Sequence, residues 1–109
     1  MDDYRKECDS IGCLDVPENA YYGVQTLRGR DNFNITGNKA DITFIHNIVK
    51  IKIACAITNY KAGIMAEDVK NAIVSSCYDI LAGKYDAEFI TDGVQGGAGT
   101  TFNMNVNEV

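Results

Sequence analysis

Apolar residues at Ile42, Ile45, Val49, Ile53, Ala56 and Tyr60 recur every third or fourth position through a polar background. This is the period of an α-helix, and it predicts one long helix from Ile42 to about Gly63. About 20 residues rising 1.5 Å each span ~30 Å, the width of a small domain. Ile48, Ile51 and Ile57 widen the apolar surface beyond a single stripe, as expected of a helix with a second packing partner. Val69, Ala72, Ile73, Cys77, Ile80 and Leu81 form another stripe at the same period. Glu67 and Asp68 suit its first turn, and Gly83 suits the position just past its end. A short connection at Gly63 makes the two an antiparallel helix hairpin.

The segments before the hairpin follow a different pattern. Residues 1–17 alternate charged and small side chains around Gly12, and Pro17 forces Val16 toward extended backbone. A small β-hairpin arm with a slight share of the core is expected. Tyr21, Val24, Leu27 and Arg28 have helical spacing, weakened by Gly23 and Gly29, and predict a short helix. Asn34, Gly37 and Asn38 mark a loop, and Asp41 is a candidate N-cap for the long helix. The fold class is therefore mainly α with a small β arm.

The last stretch, Thr91 to Val109, holds Gly96, Gly97 and Gly99 within four residues, then Thr100 and Thr101. Phe102, Met104, Val106 and Val109 fit a strand or the first turns of a helix. The helix is the preferred reading, with Thr100 or Thr101 as N-cap. A glycine loop opening into a helix presents unpaired N–H groups and the positive end of the helix dipole, which is a place for an anion. No Lys follows the glycines as a phosphate loop requires, and GGAG lacks the spacing of a dinucleotide motif. A small carboxylate held by N–H and hydroxyl groups fits better. Arg28 is a candidate second ligand for it.

Composition narrows the classes. With 109 residues and 46% hydrophobic content, one modest core is the limit. A net charge of −5 with scattered Lys and Arg excludes a nucleic-acid surface. No apolar run approaches the ~20 residues of a membrane span, and the polar N-terminus is not a signal peptide, so a cytoplasmic location is the default expectation. Cys8, Cys13, Cys55 and Cys77 include no CxxC pair and lack zinc spacing with His46, so no metal is expected and all four are read as free thiols. Cys55 and Cys77 sit at small-residue positions of the helical stripes and are read as core. His46 is read as a packed or solvated imidazole.

Four segments in order, VPENAYYGVQTLRGRDNF, the NITGNK loop, the helix hairpin and QGGAGTTFNMNVNEV, resemble the aspartase/fumarase superfamily of lyases. GGAGT followed by NMNVNEV is similar to the aspartase branch, and class II fumarases carry a TGSGTQSNMNMNEV-like form. The resemblance implies reversible elimination of ammonia from L-aspartate to give fumarate, without an organic cofactor. It also implies a homotetramer whose active site is shared among subunits. Thr100 would bind a carboxylate of a small dicarboxylate substrate, with Gly99, Thr101 and Asn103 beside it. Thr101 stands where Ser or Gln is usual, and Gly29 where Ala is common.

The family's base-bearing Gly-Ser-Ser loop has no counterpart in residues 1–109, and the chain stops about two turns into an uncapped helix. The expectation is an N-terminal domain ending before a central helix bundle, inactive alone and prone to self-association. The rival readings are the same domain of a class II fumarase and a non-catalytic assembly module.

Overall fold

The computed structural model describes residues 3–109, so the first two residues of the predicted arm lie outside it. The chain divides into two units, one made of residues 42–86 and one of residues 1–41 with 87–109.

The 42–86 unit is the helix hairpin. Helix α2 runs Ile42–Lys61 and helix α3 runs Glu67–Leu81, close to the predicted bounds. Both end in the same hydrogen-bonded motif. Gly63 N–H donates to Tyr60 O and Ile64 N–H to Asn59 O, both at 3.0 Å; at the end of α3, Gly83 N–H reaches Ile80 O at 2.9 Å and Lys84 N–H reaches Asp79 O at 3.4 Å. Ile45, Val49 and Ala56 of α2 are buried, as are Cys77 and Ile80 of α3. The breadth of the apolar surface is also real, since Phe44, Ile51, Val69 and Tyr78 remain exposed. Tyr60 is exposed too and lies under Lys70 Nζ, 4.6 Å from the ring centroid. Cys55, read from the sequence as core, is exposed; it lies one position before Ala56, which takes the inward place. No helix among the described residues is long and apolar enough to cross a membrane.

In the other unit, strands β1 (Tyr4–Cys8) and β2 (Cys13–Pro17) form the expected antiparallel hairpin, paired from Tyr4↔Pro17 to Cys8↔Cys13. Side chains alternate across it with period two. Leu14 and Val16 turn inward on β2, and Arg5 and Glu7 do so on β1. The arm contributes more to the core than its composition indicated. Val16 is fully buried in a cluster with Tyr22, Val24 and Leu27, against which Leu14, Ala20, Ile90 and Val109 pack.

One reading is overturned here. Cys8 and Cys13 are joined as a disulfide, whereas Cys55 and Cys77 are free. A turn around Gly12 brings residues five apart to facing positions of one ladder, a pairing that a search for CxxC spacing cannot detect.

Helix α1 (Val24–Asn32) starts later than its spacing implied, leaving Tyr21 exposed outside it. Helix α4 (Thr100–Glu108) closes the chain. The N-terminus of α1 organises this unit. Its N-cap, Gly23, has no side chain to offer, and the first N–H groups are met by carboxylates instead. Val24 N–H donates to Glu7 Oε1 at 3.1 Å, and Gln25 and Thr26 N–H donate to the Glu108 carboxylate at 3.2 and 2.6 Å. The Thr26 hydroxyl donates to Glu108 as well. A Cβ on Gly23 would lie 2.7 Å from Glu7 Oε1 and closer still to Glu108 Oε2, so only glycine lets both carboxylates in. Arg5 completes the junction: it pairs with Glu7 at 2.6 Å and donates to the carbonyls of Pro17, Glu18 and Tyr22, each at 2.9 Å.

Glu108→Ala removes the acceptor of two amides and a hydroxyl at a helix N-terminus and is expected to destabilise the chain by about 2 kcal/mol. Urea unfolding of the two proteins measures it; a loss no larger than that of an exposed control outside any helix, Glu18→Ala, would contradict the assignment.

Candidate functional site

The glycine stretch leads into α4 through a left-handed turn. Gly97, Ala98 and Gly99 have φ of 86°, 56° and 83°. Two of these positions are glycine, for which the conformation is free; Ala98 accepts it at a cost of about 1–2 kcal/mol. The N-cap of α4 is Gly99, not a threonine, and Thr100 is its first helical residue. The side-chain capping expected of Thr100 or Thr101 falls to Gln95. Gln95 Oε1 accepts the Phe102 N–H at 3.1 Å while Gln95 Nε2 donates to Asp92 O at 2.9 Å. Thr100 donates its N–H and its hydroxyl to Gly97 O, at 3.2 and 2.8 Å. The Thr101 N–H is left without an acceptor among the described residues.

An open groove of about 310 Å³ lies beside this helix start, lined by Asp9, Ser10, Ile11, Gln25, Arg28, Gly29, Asn32, Thr100, Thr101 and Met104. The structure thus brings together Thr100, Thr101 and Arg28 of the residues singled out in the sequence. Gly99 abuts Thr100 as its cap, and Asn103 lies one turn along α4 outside the lining. Arg28 is already engaged: it forms an ion pair with Asp9 and reaches Gly12 O at 3.4 Å. That pairing, followed by the Ile11 and Gly12 N–H groups, holds the Asp9 carboxyl below the usual carboxylate range.

The residue that the sequence reading passed over is Asp92. It is 7% exposed, and its carboxylate accepts five hydrogen bonds, from the N–H groups of Ile35, Thr36, Gly37 and Val94 and from the Thr36 hydroxyl, at 2.7–3.2 Å. It pins the loop after α1 to the start of the glycine stretch, and a bridge between Lys39 and Asp92 continues the junction. These donors hold its carboxyl far below the ordinary range, led by Val94 N–H. The Asp-Gly pair with a bond to the N–H two residues on was the available signal, an Asx turn. A second cavity of about 180 Å³, lined by Arg30, Phe33, Asn34, Lys39 and Ile90 among others, borders it.

His46 Nε2 lies 3.1 Å from Asp86 Oδ1 within the 42–86 unit and takes no part in the groove. Among the described residues no three His, Cys, Asp or Glu side chains are grouped to hold a metal ion.

A family model described as Lyase matches residues 12–109. The chain is 41% identical to an aspartate ammonia-lyase of a Bacillus species over 107 residues, and equally to a class II fumarate hydratase of Nitrosomonas europaea over 109. The chain belongs to the aspartase/fumarase family of lyases.

It spans 23% and 24% of the length of those two relatives, while 98% and 100% of the chain is covered. A solved structure of a fumarate lyase:delta crystallin from Brucella melitensis superposes with a TM-score of 0.92 at 40% identity, covering 96% of this chain and 25% of that one.

Gly29 and Thr101, two of the positions at which the resemblance led us to expect another residue, lie against one another. A Cβ at Gly29 would lie 2.6 Å from Thr101 Cγ2, so the methyl of Thr101 occupies the space that an Ala at position 29 would fill. Gly29→Ala is accordingly expected to destabilise the chain by about 1–3 kcal/mol through overpacking of α1 on α4. Adding Thr101→Ser, which removes that methyl, is expected to restore most of the loss; additive effects in a double-mutant cycle by thermal unfolding would refute the coupling.

Asp92 makes a second expectation. Its folded-state pKa lies below the unfolded value of about 3.9, so its contribution is complete above that value and is lost as pH falls below it toward the folded pKa. Between pH 5 and pH 2, Asp92→Asn should lower the melting temperature at the upper end and flatten its acid dependence; an unchanged slope would rule out the role.

Proposed function

We propose that the chain supplies the carboxylate-binding wall of a lyase that reversibly eliminates ammonia from L-aspartate to give fumarate. The observation that carries this reading is the position of Thr100: first residue of α4, exposed, at the edge of the groove, with a strained left-handed turn fixing the helix start beside it. A bound carboxylate would accept the hydroxyl hydrogen bond now given to Gly97 O and another from the open N–H of Thr101, at the positive end of the helix dipole. Elimination moves charge onto the carboxylate next to the departing proton, so donors fixed at that oxygen favour the transition state over the bound substrate. Arg28 is paired with Asp9, so the two together leave the groove without net charge. Gly99 shapes the turn, Thr101 contributes its N–H, and Asn103 lies one turn beyond.

No side chain lining the groove is a free base, since its one carboxylate, Asp9, is bound to Arg28. On this reading the proton acceptor comes from outside this groove, within the homotetramer that the family resemblance implies. Release of water from malate is the alternative chemistry, supported by the equal identity to the Nitrosomonas europaea fumarate hydratase. GGAGT favours the aspartase branch.

Titration with fumarate, followed by amide shifts of Thr100 and Thr101, tests the site. Thr100→Val is expected to weaken binding by about 10–100-fold, because a hydrogen bond to a charged group is lost, with only the small fall in melting temperature expected from losing the exposed bond to Gly97 O. Absence of fumarate-dependent shifts in the unmodified chain would overturn the reading. In the same samples aspartate is expected to yield no fumarate absorbance, and turnover would refute the assignment of the base.

A further inference from the structure

The β-hairpin ends in a covalent clasp at the rim of the groove. Cys8 and Cys13 face each other at the last position of the ladder, bonded to one another, and both residues are exposed. The turn between them is held by Asp9. Its N–H donates to Gly12 O at 3.0 Å, and its Oδ1 accepts the N–H groups of Ile11 and Gly12 at 3.0 and 3.2 Å. Asp9 Oδ2 takes the Arg28 guanidinium, and Asp9, Ser10 and Ile11 then line the groove that Thr100 and Thr101 border. The clasp thus constrains three groove residues, one of which, Asp9, is the ion-pair partner of a fourth, Arg28.

We propose that Cys8 and Cys13 form a reversible redox site, at which a small thiol or dithiol reductant opens the hairpin tip and loosens this wall of the groove. The reductant's thiolate attacks one cysteine sulfur, forming a mixed disulfide and expelling the other cysteine as a thiolate, which takes up a proton. A second reductant thiolate attacks the reductant's sulfur of the mixed disulfide. The second cysteine leaves, is protonated in turn, and the reductant departs as its disulfide. Two electrons pass from the reductant to the pair, and a small disulfide drives the reverse reaction. Exposure gives both reagents access. With the cross-link gone, the tip is the end of a two-stranded ribbon held by the Asp9 bonds, and such ribbons are marginal in water. The consequence for ligand binding rests on the carboxylate reading of the groove; the redox chemistry does not.

Alkylation of the folded chain with iodoacetamide, before and after dithiothreitol, reads the chemistry by mass. Cys55 alone should be labelled before reduction, and Cys8 and Cys13 in addition after it. Hydrogen exchange at the Ile11 and Gly12 amides should speed up roughly tenfold or more on reduction and in Cys8→Ser/Cys13→Ser, with the Thr36 and Gly37 amides unchanged. Fumarate should then bind the reduced chain and the double variant more weakly than the oxidised chain. A pair that resists dithiothreitol in the folded chain, or tip amides indifferent to reduction, overturns the proposal. Equal fumarate affinity in both redox states severs the tip from the groove. If neither state binds fumarate, the carboxylate reading falls, and labelling and exchange decide the redox site by themselves.

Discussion

The β-arm, α1 and α4 are held together by one requirement, that the N–H groups opening α1 find acceptors. A helix that starts at a glycine brings no capping side chain, and leaving the donors of the buried residues Val24 and Thr26 unmet would cost several kcal/mol, with the exposed Gln25 N–H a third beside them. Glu7 and Glu108 meet them from opposite ends of the sequence. Because one acceptor sits on β1 and the other on the last turn of α4, satisfying α1 fixes both neighbours. Gly23 is the space in which this happens, and Arg5 offsets the charge of Glu7 while binding the carbonyls that lead into the helix. Placing anions at the positive end of the helix dipole adds to the same effect.

The elements that were legible in the sequence are those whose causes are local. Apolar spacing of three and four, with glycine at the end, determines α2 and α3, and Gly63 and Gly83 close them as the pattern implies. The hairpin arm was likewise readable from Gly12 and Pro17. What escaped was every feature set by a partner outside the element's own residue pattern. Gln95, not a threonine, caps α4. Asp92 binds a loop more than fifty residues earlier, and Glu108 caps a helix 82 residues before it. The Cys8–Cys13 pair is near in sequence, yet it became visible only with the register of the ladder.

The candidate site shows the same division. The candidate anion site was legible because a glycine turn before a helix is local chemistry, and the family resemblance then singled out Thr100, which lies beside Thr101 and Arg28 in one groove. That Arg28 would be clasped by Asp9 from the hairpin tip could not be read, since it depends on how the arm folds back on α1. Nor could spacing reveal that Gly29 and Thr101 share one small volume.

This arrangement resolves an electrostatic difficulty. A dicarboxylate approaching a chain of net charge −5 is repelled at long range, and binding needs local compensation. Among the residues lining the groove, Asp9 and Arg28 carry the charges, and they cancel. In the proposed role, attraction would come from dipoles: the start of α4, the Thr100 hydroxyl and the Thr101 N–H. Fixed dipoles act over a few ångströms and need no reorganisation as charge shifts along a reaction, whereas a lone arginine would hold substrate and product alike. The Asp9–Arg28 pair therefore does more than anchor the hairpin. It leaves the groove without net charge, so that in the proposed role discrimination would rest on donors whose positions are set by backbone geometry.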